Sequence, residues 1–161
     1  MTNIEDITDD LKDWLSRRSA FSLAKIFRRE ERAGDEMPET CAVYLYPENP
    51  RPEETDFNLD LRIYPVNVLV KFQTHGHGIL EQEDDRDVAS NEAFAWMEEV
   101  IGMTKEYNIR LDNPTNCYAV QFKDSNLKFK AEDTIAKSDP PDTQRVLVVL
   151  DFHTSQRYDG L

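Results

Sequence analysis

The most constraining feature of the sequence is a long alternation of apolar and polar side chains between residues 57 and 72. The apolar residues occupy odd positions first and even positions afterwards: Phe57, Leu59, Leu61 and Ile63, then Val66, Val68, Val70 and Phe72. Because side chains repeat every two residues along a strand, an uninterrupted strand turns one of these sets away from the core. We therefore expect a bulge, kink or tight turn at Tyr64-Pro65, within one bent strand or between two strands.

Other segments also have the composition of strands. Residues 41–46 form an apolar run ended by proline, and residues 116–123 alternate again. Residues 145–153 are apolar on both faces, which predicts a strand in the middle of a sheet. Asp124-Ser125-Asn126 has turn composition, so residues 127–130 are predicted to return as the second arm of a short hairpin.

Two segments have the periodicity of helices. The segment from Asn3 to Arg18 is amphipathic, with acidic residues near its start and arginines at its end, as the helix macrodipole favours. A second helix is predicted to begin near Val88 or Ser90 and to continue through Tyr107. Its apolar residues form two stripes: Phe94, Met97 and Ile101, and Trp96, Val100, Met103 and Tyr107. A helix with so little polar surface is expected to pack on the sheet and also to meet a second surface.

The polar segments between these elements are predicted to be loops. They comprise Arg28 to Glu39, the proline-rich connector Pro47 to Asp56, the acidic block Glu81 to Asp87, and Ala131 to Gln144. The short apolar segment Phe21 to Phe27 fits either a strand or a helical turn.

The order helix, strands, helix, strands in a chain of 161 residues predicts one domain over residues 1–161. We expect an α+β fold, with a mixed or antiparallel sheet of about four to five strands covered by two main helices.

The net charge restricts the partners of the chain. Asp and Glu number 32 against 19 Lys and Arg, a formal charge of −13 that repels nucleic-acid phosphates and anionic membranes. The first residues resemble no export signal, and no apolar run approaches the roughly 20 residues of a membrane-spanning helix. The two cysteines, Cys41 and Cys117, are expected to be free thiols in a reducing compartment. We expect a soluble protein of the cell interior, with no direct sequence-specific nucleic-acid partner and no membrane partner.

Two patterns raise the possibility of metal chemistry. His75 and His77, followed by an acidic block, offer nitrogen and oxygen ligands, but no third His or paired Cys lies near, and a turn at the end of a strand explains them. The tripeptide Gln121-Phe122-Lys123, with Asp60 or Asp112 upstream, matches part of a nuclease pattern, although the charge of the chain repels the substrate.

The sequence also lacks the motifs of other enzyme classes. The glycines form no phosphate-binding loop, and no Gly-x-Ser-x-Gly elbow is present. Both cysteines lie within apolar alternation, where a thiol acts as a small buried apolar group. We therefore expect no enzyme, no cofactor, no bound metal and no small-molecule substrate.

The element order and the last strand pattern, Arg145-Val146-Leu147-Val148-Val149-Leu150-Asp151-Phe152, resemble the tail terminator and tail completion proteins of long-tailed bacteriophages. The likeness spans nearly the whole chain. It implies a homo-oligomeric ring, typically a hexamer, that caps the tail tube, stops its polymerisation and joins it to the head-neck proteins. It also implies a structural, non-catalytic protein of the host cytoplasm during assembly and then of the virion tail.

A ring subunit needs contacts with its neighbours and with the tube. The candidate interface residues are an apolar helix stripe and acids in two loops: Trp96, Val100, Met103, Tyr107, Glu48, Glu53, Glu54, Asp84 and Asp85. The opposite helix stripe and the loop from Arg28 to Glu39 are further candidates. The alternative function is an acidic inhibitor that mimics DNA, in which the acidic blocks occupy the basic groove of a nucleic-acid enzyme; ordinary solvation also explains them.

Overall fold

The computed structural model describes residues 3–35, 41–53, 59–73, 83–109, 117–129 and 143–157. These residues form α1 (Asn3–Arg17), a 3-10 helix (Ser19–Phe21), β1 (Lys25–Phe27), β2 (Cys41–Pro47), β3 (Arg51–Pro52), β4 (Leu59–Gln73), α2 (Glu83–Ile109), β5 (Cys117–Phe129) and β6 (Thr143–Arg157). The predicted α+β class with two main helices is confirmed, and the element order is compatible with the prediction.

The six described strands form one mixed sheet. Its order is β1-β2-β4-β6-β5, and the short β3 pairs with β4 beside this path. β1 runs parallel to β2, whereas the other pairs are antiparallel. The strand absent from the prediction is β3, which is too short to show a period of two.

β4 forms an unbroken ladder with β6, from Leu59 opposite Arg157 to Gln73 opposite Thr143. The continuous register excludes the bulge and the tight turn at Tyr64-Pro65, and residues 59–73 form one long strand, which was one of the two alternatives. The apolar set does change faces: residues from Tyr64 to Phe72 at even positions are buried in the core, whereas Leu61 and Ile63 lie half-buried on the opposite face. An intact strand accommodates both sets because both sheet faces are partly covered.

α1 places one apolar stripe against the sheet. Ile7, Leu11 and Leu15 are buried, and the helix contacts β1 and β2. The chain then forms the 3-10 helix, whose Phe21 is buried, and enters β1. The segment Phe21 to Phe27 thus contains both structures between which the sequence left the choice open.

α2 begins at Glu83, several residues earlier than predicted. Most of the block expected to be an acidic loop therefore lies in the first turns of the helix, where negative charge stabilises the exposed backbone N–H groups. α2 contacts β5 and β6, and Ala93, Val100 and Met103 enter the core.

β5 is one strand, and the hairpin turn predicted at Asp124-Ser125-Asn126 is wrong. The register with β6 shifts between Phe122 and Asp124, so Lys123 is an extra residue in the ladder. A polar stretch is tolerated here because β5 is an edge strand of the described sheet. β6 lies between β4 and β5, which confirms an interior strand for residues 145–153.

Candidate functional site

The two faces of the sheet have different surroundings. One face packs on α1 and α2 and forms the core, whereas the other carries a row of polar side chains from β4 and β6. We call this second face the open face. The segment 28–35, predicted to be a loop, has no helix or strand in the structure and reaches the open face through Glu31.

Glu31 is bound by two cations from neighbouring strands. Arg145 donates from Nε to Oε2 at 3.1 Å and from Nη2 to Oε1 at 2.9 Å, and Lys71 Nζ lies 3.0 Å from Oε1. The side chains of Lys71 and Glu31 are 0% and 2% exposed. An ion cluster so fully removed from water is held in one geometry, because separating any member leaves a buried charge.

Glu31 offsets the repulsion between two like charges in the sheet. Lys71 and Arg145 lie directly opposite each other in the ladder, and like charges in that position repel. Burial opposes the ionisation of Glu31, but hydrogen bonds from Arg145 and Lys71 outweigh it and lower the pKa of Glu31. Glu31 is therefore ionised at neutral pH and fastens segment 28–35 to the open face.

A second anchor holds the same segment. Arg29 donates two hydrogen bonds to Asp35, at 2.7 and 2.8 Å, and these bonds hold the pKa of Asp35 well below its usual range. The guanidinium also lies over the ring of Phe27, 4.6 Å from its centroid, and that ring stacks on Tyr44. Burial raises the pKa of the Tyr44 hydroxyl, which leaves it neutral. These contacts hold segment 28–35 against β1 and β2.

A further row of polar side chains lies where β3 pairs with β4. Arg51 donates to Asp151 Oδ2 at 2.8 Å, and His153 Nδ1 lies 3.4 Å from the carboxylate of Glu53. Backbone bonds from Glu48 to Pro65 and from Glu53 to Leu61 hold the connector here. The described part of this connector, predicted to be a loop, contains the short strand β3 and lies along β4.

Part of the candidate metal and nuclease residues can be located in the described chain. Within these ranges no three His, Cys, Asp or Glu side chains lie close enough to hold a metal ion. Burial raises the pKa of the Cys41 thiol to about 12, so the reactive thiolate is scarce at neutral pH. Gln121 and Lys123 are exposed on β5. His75, His77, Asp112 and the side chain of Asp60 lie outside the described part.

Some exposed apolar residues of the described chain lie together on one side of the fold. Phe122 on β5 is 42% exposed and pairs with the core residue Leu150, so it lies on the face covered by α2. On α2, Phe94 is 52% exposed, and Met97 and Ile101 are half-buried beside it. We call these four residues the α2–β5 flank.

The flank lies on the side of α2 away from α1. Glu99 faces α1, because Arg18 Nε donates to its carboxylate at 2.7 Å. Trp96 also faces that way, with its ring 5.0 Å from the ring of Phe21. Phe94 is five residues before Glu99, which corresponds to about 140° around the helix. The flank therefore points toward the edge of the sheet formed by β5.

The structure distinguishes between the predicted interface residues. Val100 and Met103 are buried in the core of the single chain, and Trp96, which packs on Phe21 and Phe72, is half-buried. On the opposite stripe Phe94 is exposed, whereas Met97 and Ile101 are half-buried. An interface on either stripe stays a prediction.

The other candidates lie elsewhere. Glu48 accepts a hydrogen bond from Asn67 and Glu53 lies beside His153, both on the open face. Asp84 and Asp85 belong to the first turn of α2. Glu54 and the side chain of Tyr107 lie outside the described residues. Among the described side chains, Glu48 and Glu53 thus lie on the opposite face of the sheet from the helix stripe.

Sequence reasoning missed the cluster of Glu31, Lys71 and Arg145. Lys71 gave a weak signal, since it is a charged residue within an apolar alternation. Nothing local marked Glu31, which lies in a charged segment among other acids. Phe122 belongs to a predicted strand and to the partial nuclease pattern, and neither marks it as an exposed aromatic side chain.

Comparison with known proteins adds no assignment. The sequence matches no protein-family model and no curated protein at a significant level. Neither α1 nor α2 has the length and apolarity needed to span a membrane in the part of the chain described.

Proposed function

We propose that the protein is a structural phage morphogenesis protein that forms a ring with its own copies at the end of the tail tube, ends tail polymerisation and joins the tail to the head. The resemblance of element order to tail terminator and completion proteins motivates the proposal. The observation that carries it is the α2–β5 flank, where Phe94 and Phe122 remain 52% and 42% exposed in the single chain.

Exposed aromatic side chains of this kind favour association. Burying the rest of each ring in a subunit contact contributes about 1 kcal/mol per ring, and aromatic residues are enriched at interfaces. A ring repeats the same contact at every subunit, so a modest contribution is multiplied around the assembly.

The acidic-inhibitor alternative receives less support from the described carboxylates. A DNA mimic must present its carboxylates to the basic groove of another protein. In the block from Glu48 to Asp56, Glu48 instead accepts a hydrogen bond from Asn67, and the carboxylate of Glu53 lies 3.4 Å from His153. These two carboxylates are therefore engaged by the chain itself.

Sedimentation velocity over a range of concentrations tests self-association. The wild-type chain is expected to form a discrete species larger than a dimer, and Phe122→Asp and Phe94→Asp are expected to shift it to monomer while circular dichroism stays unchanged. Ala33→Asp adds the same charge at an exposed position of segment 28–35 and is the matched control. Equal association of the Phe variants and the control contradicts an interface on this flank.

The tail assignment needs a second experiment. Electron microscopy of the chain mixed with the tube protein encoded nearest to it is expected to show tubes capped at one end and limited in length. A wild-type chain that stays monomeric, leaves tubes uncapped and inhibits a DNA-processing enzyme supports the acidic inhibitor instead.

A further inference from the structure

The side of the molecule formed by β1 carries the other exposed large apolar residue of the described chain. β1 is the outermost strand beside β2, and Leu23, two residues before it, is 77% exposed. We call Leu23, Lys25 and Arg28 the β1 end. A leucine so exposed beside an edge strand is free to contact another molecule.

The β1 end is basic although the chain as a whole is strongly acidic. Residues 25–29 read Lys-Ile-Phe-Arg-Arg and contain no acid. Arg28 pairs with Asp9 and Arg29 with Asp35, whereas the exposed Lys25 has no ion-pair partner among the described residues. Positive charge near an exposed leucine favours a partner surface that is apolar and acidic.

The α2–β5 flank has that character. α2 contains eight acidic and two basic residues. Glu98, one helical turn after Phe94, is exposed on the same side of the helix and has no ion-pair partner in the described ranges. The two surfaces therefore match in apolarity, and Glu98 is opposite in charge to Lys25.

We infer that the β1 end of one copy docks on the α2–β5 flank of the next copy, with Leu23 against Phe94 and Phe122 and Lys25 beside Glu98. The inference rests on the self-association proposed above and names the two surfaces that meet. Because these surfaces differ, the contact is heterologous and is repeated from copy to copy, which generates a ring if the rotation closes.

Side-chain docking fits this edge better than sheet extension. The extra residue Lys123 interrupts the regular ladder of β5, and its charge is exposed. A bulge and a lysine are devices by which natural proteins prevent strand pairing at an edge. The neighbouring copy is therefore held by the exposed side chains of the flank.

Charge exchange tests the contact. Lys25→Glu and Glu98→Lys each place like charges across the interface and are expected to weaken self-association about tenfold. An equimolar mixture of the two variants, and the double variant, are expected to return association to within about threefold of wild type, because each restores opposite charges. Lys12→Glu, an exposed change on α1, is the control and is expected to have no effect.

Photo-crosslinking gives an independent result. A benzoylphenylalanine at position 23, in a mixture of isotopically light and heavy chains, is expected to attach to peptides of α2 or β5 from another copy. Attachment to the partner's residues 19–28, or a mixture of charge variants that stays dissociated, overturns the inference while ring formation by another contact stands. A wild-type chain that remains monomeric at all concentrations contradicts the proposed function itself.

Discussion

Glu31 is the residue whose surroundings depart furthest from its sequence context. It lies in the charged stretch Arg28 to Glu36, yet its carboxylate is buried and accepts three short contacts from Arg145 and Lys71. Bidentate binding by arginine fixes both oxygens, and the lysine completes the cluster. At the scale of single residues, this carboxylate connects segment 28–35 with the two longest strands.

Replacing Glu31 by Gln is expected to lower the free energy of unfolding by about 3–5 kcal/mol at pH 7, because it leaves two buried cations without their shared anion. Glu30→Gln, a neighbouring change at an exposed position, is expected to change it by less than about 0.5 kcal/mol. Urea denaturation followed by tryptophan fluorescence measures both. Equal stabilities of the two variants contradict a stabilising ion cluster.

The same cluster makes a prediction about pH. The pKa of Glu31 is lowered in the folded chain, so its contribution to stability is full above the ordinary value of 4.5 and is lost as the pH falls through the folded pKa. The difference in unfolding free energy between wild type and Glu31→Gln is therefore expected to be constant from pH 8 to 6 and to shrink below the ordinary value. Denaturation at several pH values measures it, and a difference that grows on acidification opposes this account.

Among the elements, α1 and α2 are joined by few polar contacts. Arg18, just after α1, donates to Glu99 of α2 with both side chains partly buried, and Phe21 packs on Trp96. The two helices cover different halves of the sheet, α1 on β1 and β2 and α2 on β5 and β6. The Arg18–Glu99 pair therefore ties the two halves of the helical layer together.

A double-mutant cycle with Arg18→Ala and Glu99→Ala is expected to give a coupling energy of about 0.5–1 kcal/mol, since a partly buried pair is less screened than an exposed one. The exposed pair Arg17–Asp13 within α1, 59% and 62% exposed, is the internal comparison and is expected to give about 0.3–0.5 kcal/mol. Chemical denaturation of the four chains in each cycle measures both. A larger coupling for the exposed pair runs against this ranking.

The whole molecule carries a charge of −13, which opposes the approach of identical copies. The repulsion is visible within one helix, where burial and the neighbouring charges of Asp6, Asp13 and Asp9 raise the pKa of Asp10. Self-association must therefore overcome a long-range force through short-range apolar contacts and a few opposite charges.

Salt distinguishes the long-range charge repulsion from the short-range apolar contacts. Raising NaCl from about 10 to 150 mM reduces the Debye length from about 30 to 8 Å, which screens the net repulsion more than it weakens an apolar contact. We expect association of the wild-type chain to strengthen over this range and that of Phe122→Asp to stay weak. Sedimentation velocity at each salt concentration measures it, and weakening with salt indicates an interface dominated by charge pairs.

The sequence by itself determined the main helices and most of the long strands. Alternation in residues 57–72, the both-sided apolar pattern of residues 145–153 and the helical spacing of α1 are local properties of the chain, and periodicity of two or 3.6 residues encodes them directly. α2 was foreseen as an element, although its start and the inward stripe were not.

Only the tertiary structure decided how these elements pack and which residues they bring into contact. Residues 124–126 have turn composition, yet they extend β5 because the long β6 offers a continuous ladder beside them. Trp96, Val100 and Met103 point inward because α2 packs on the sheet and on Phe21 of the 3-10 helix. Glu31 meets Arg145 across 114 positions of sequence, and no local pattern specifies such a contact because its free energy comes from burial and charge that arise only on folding.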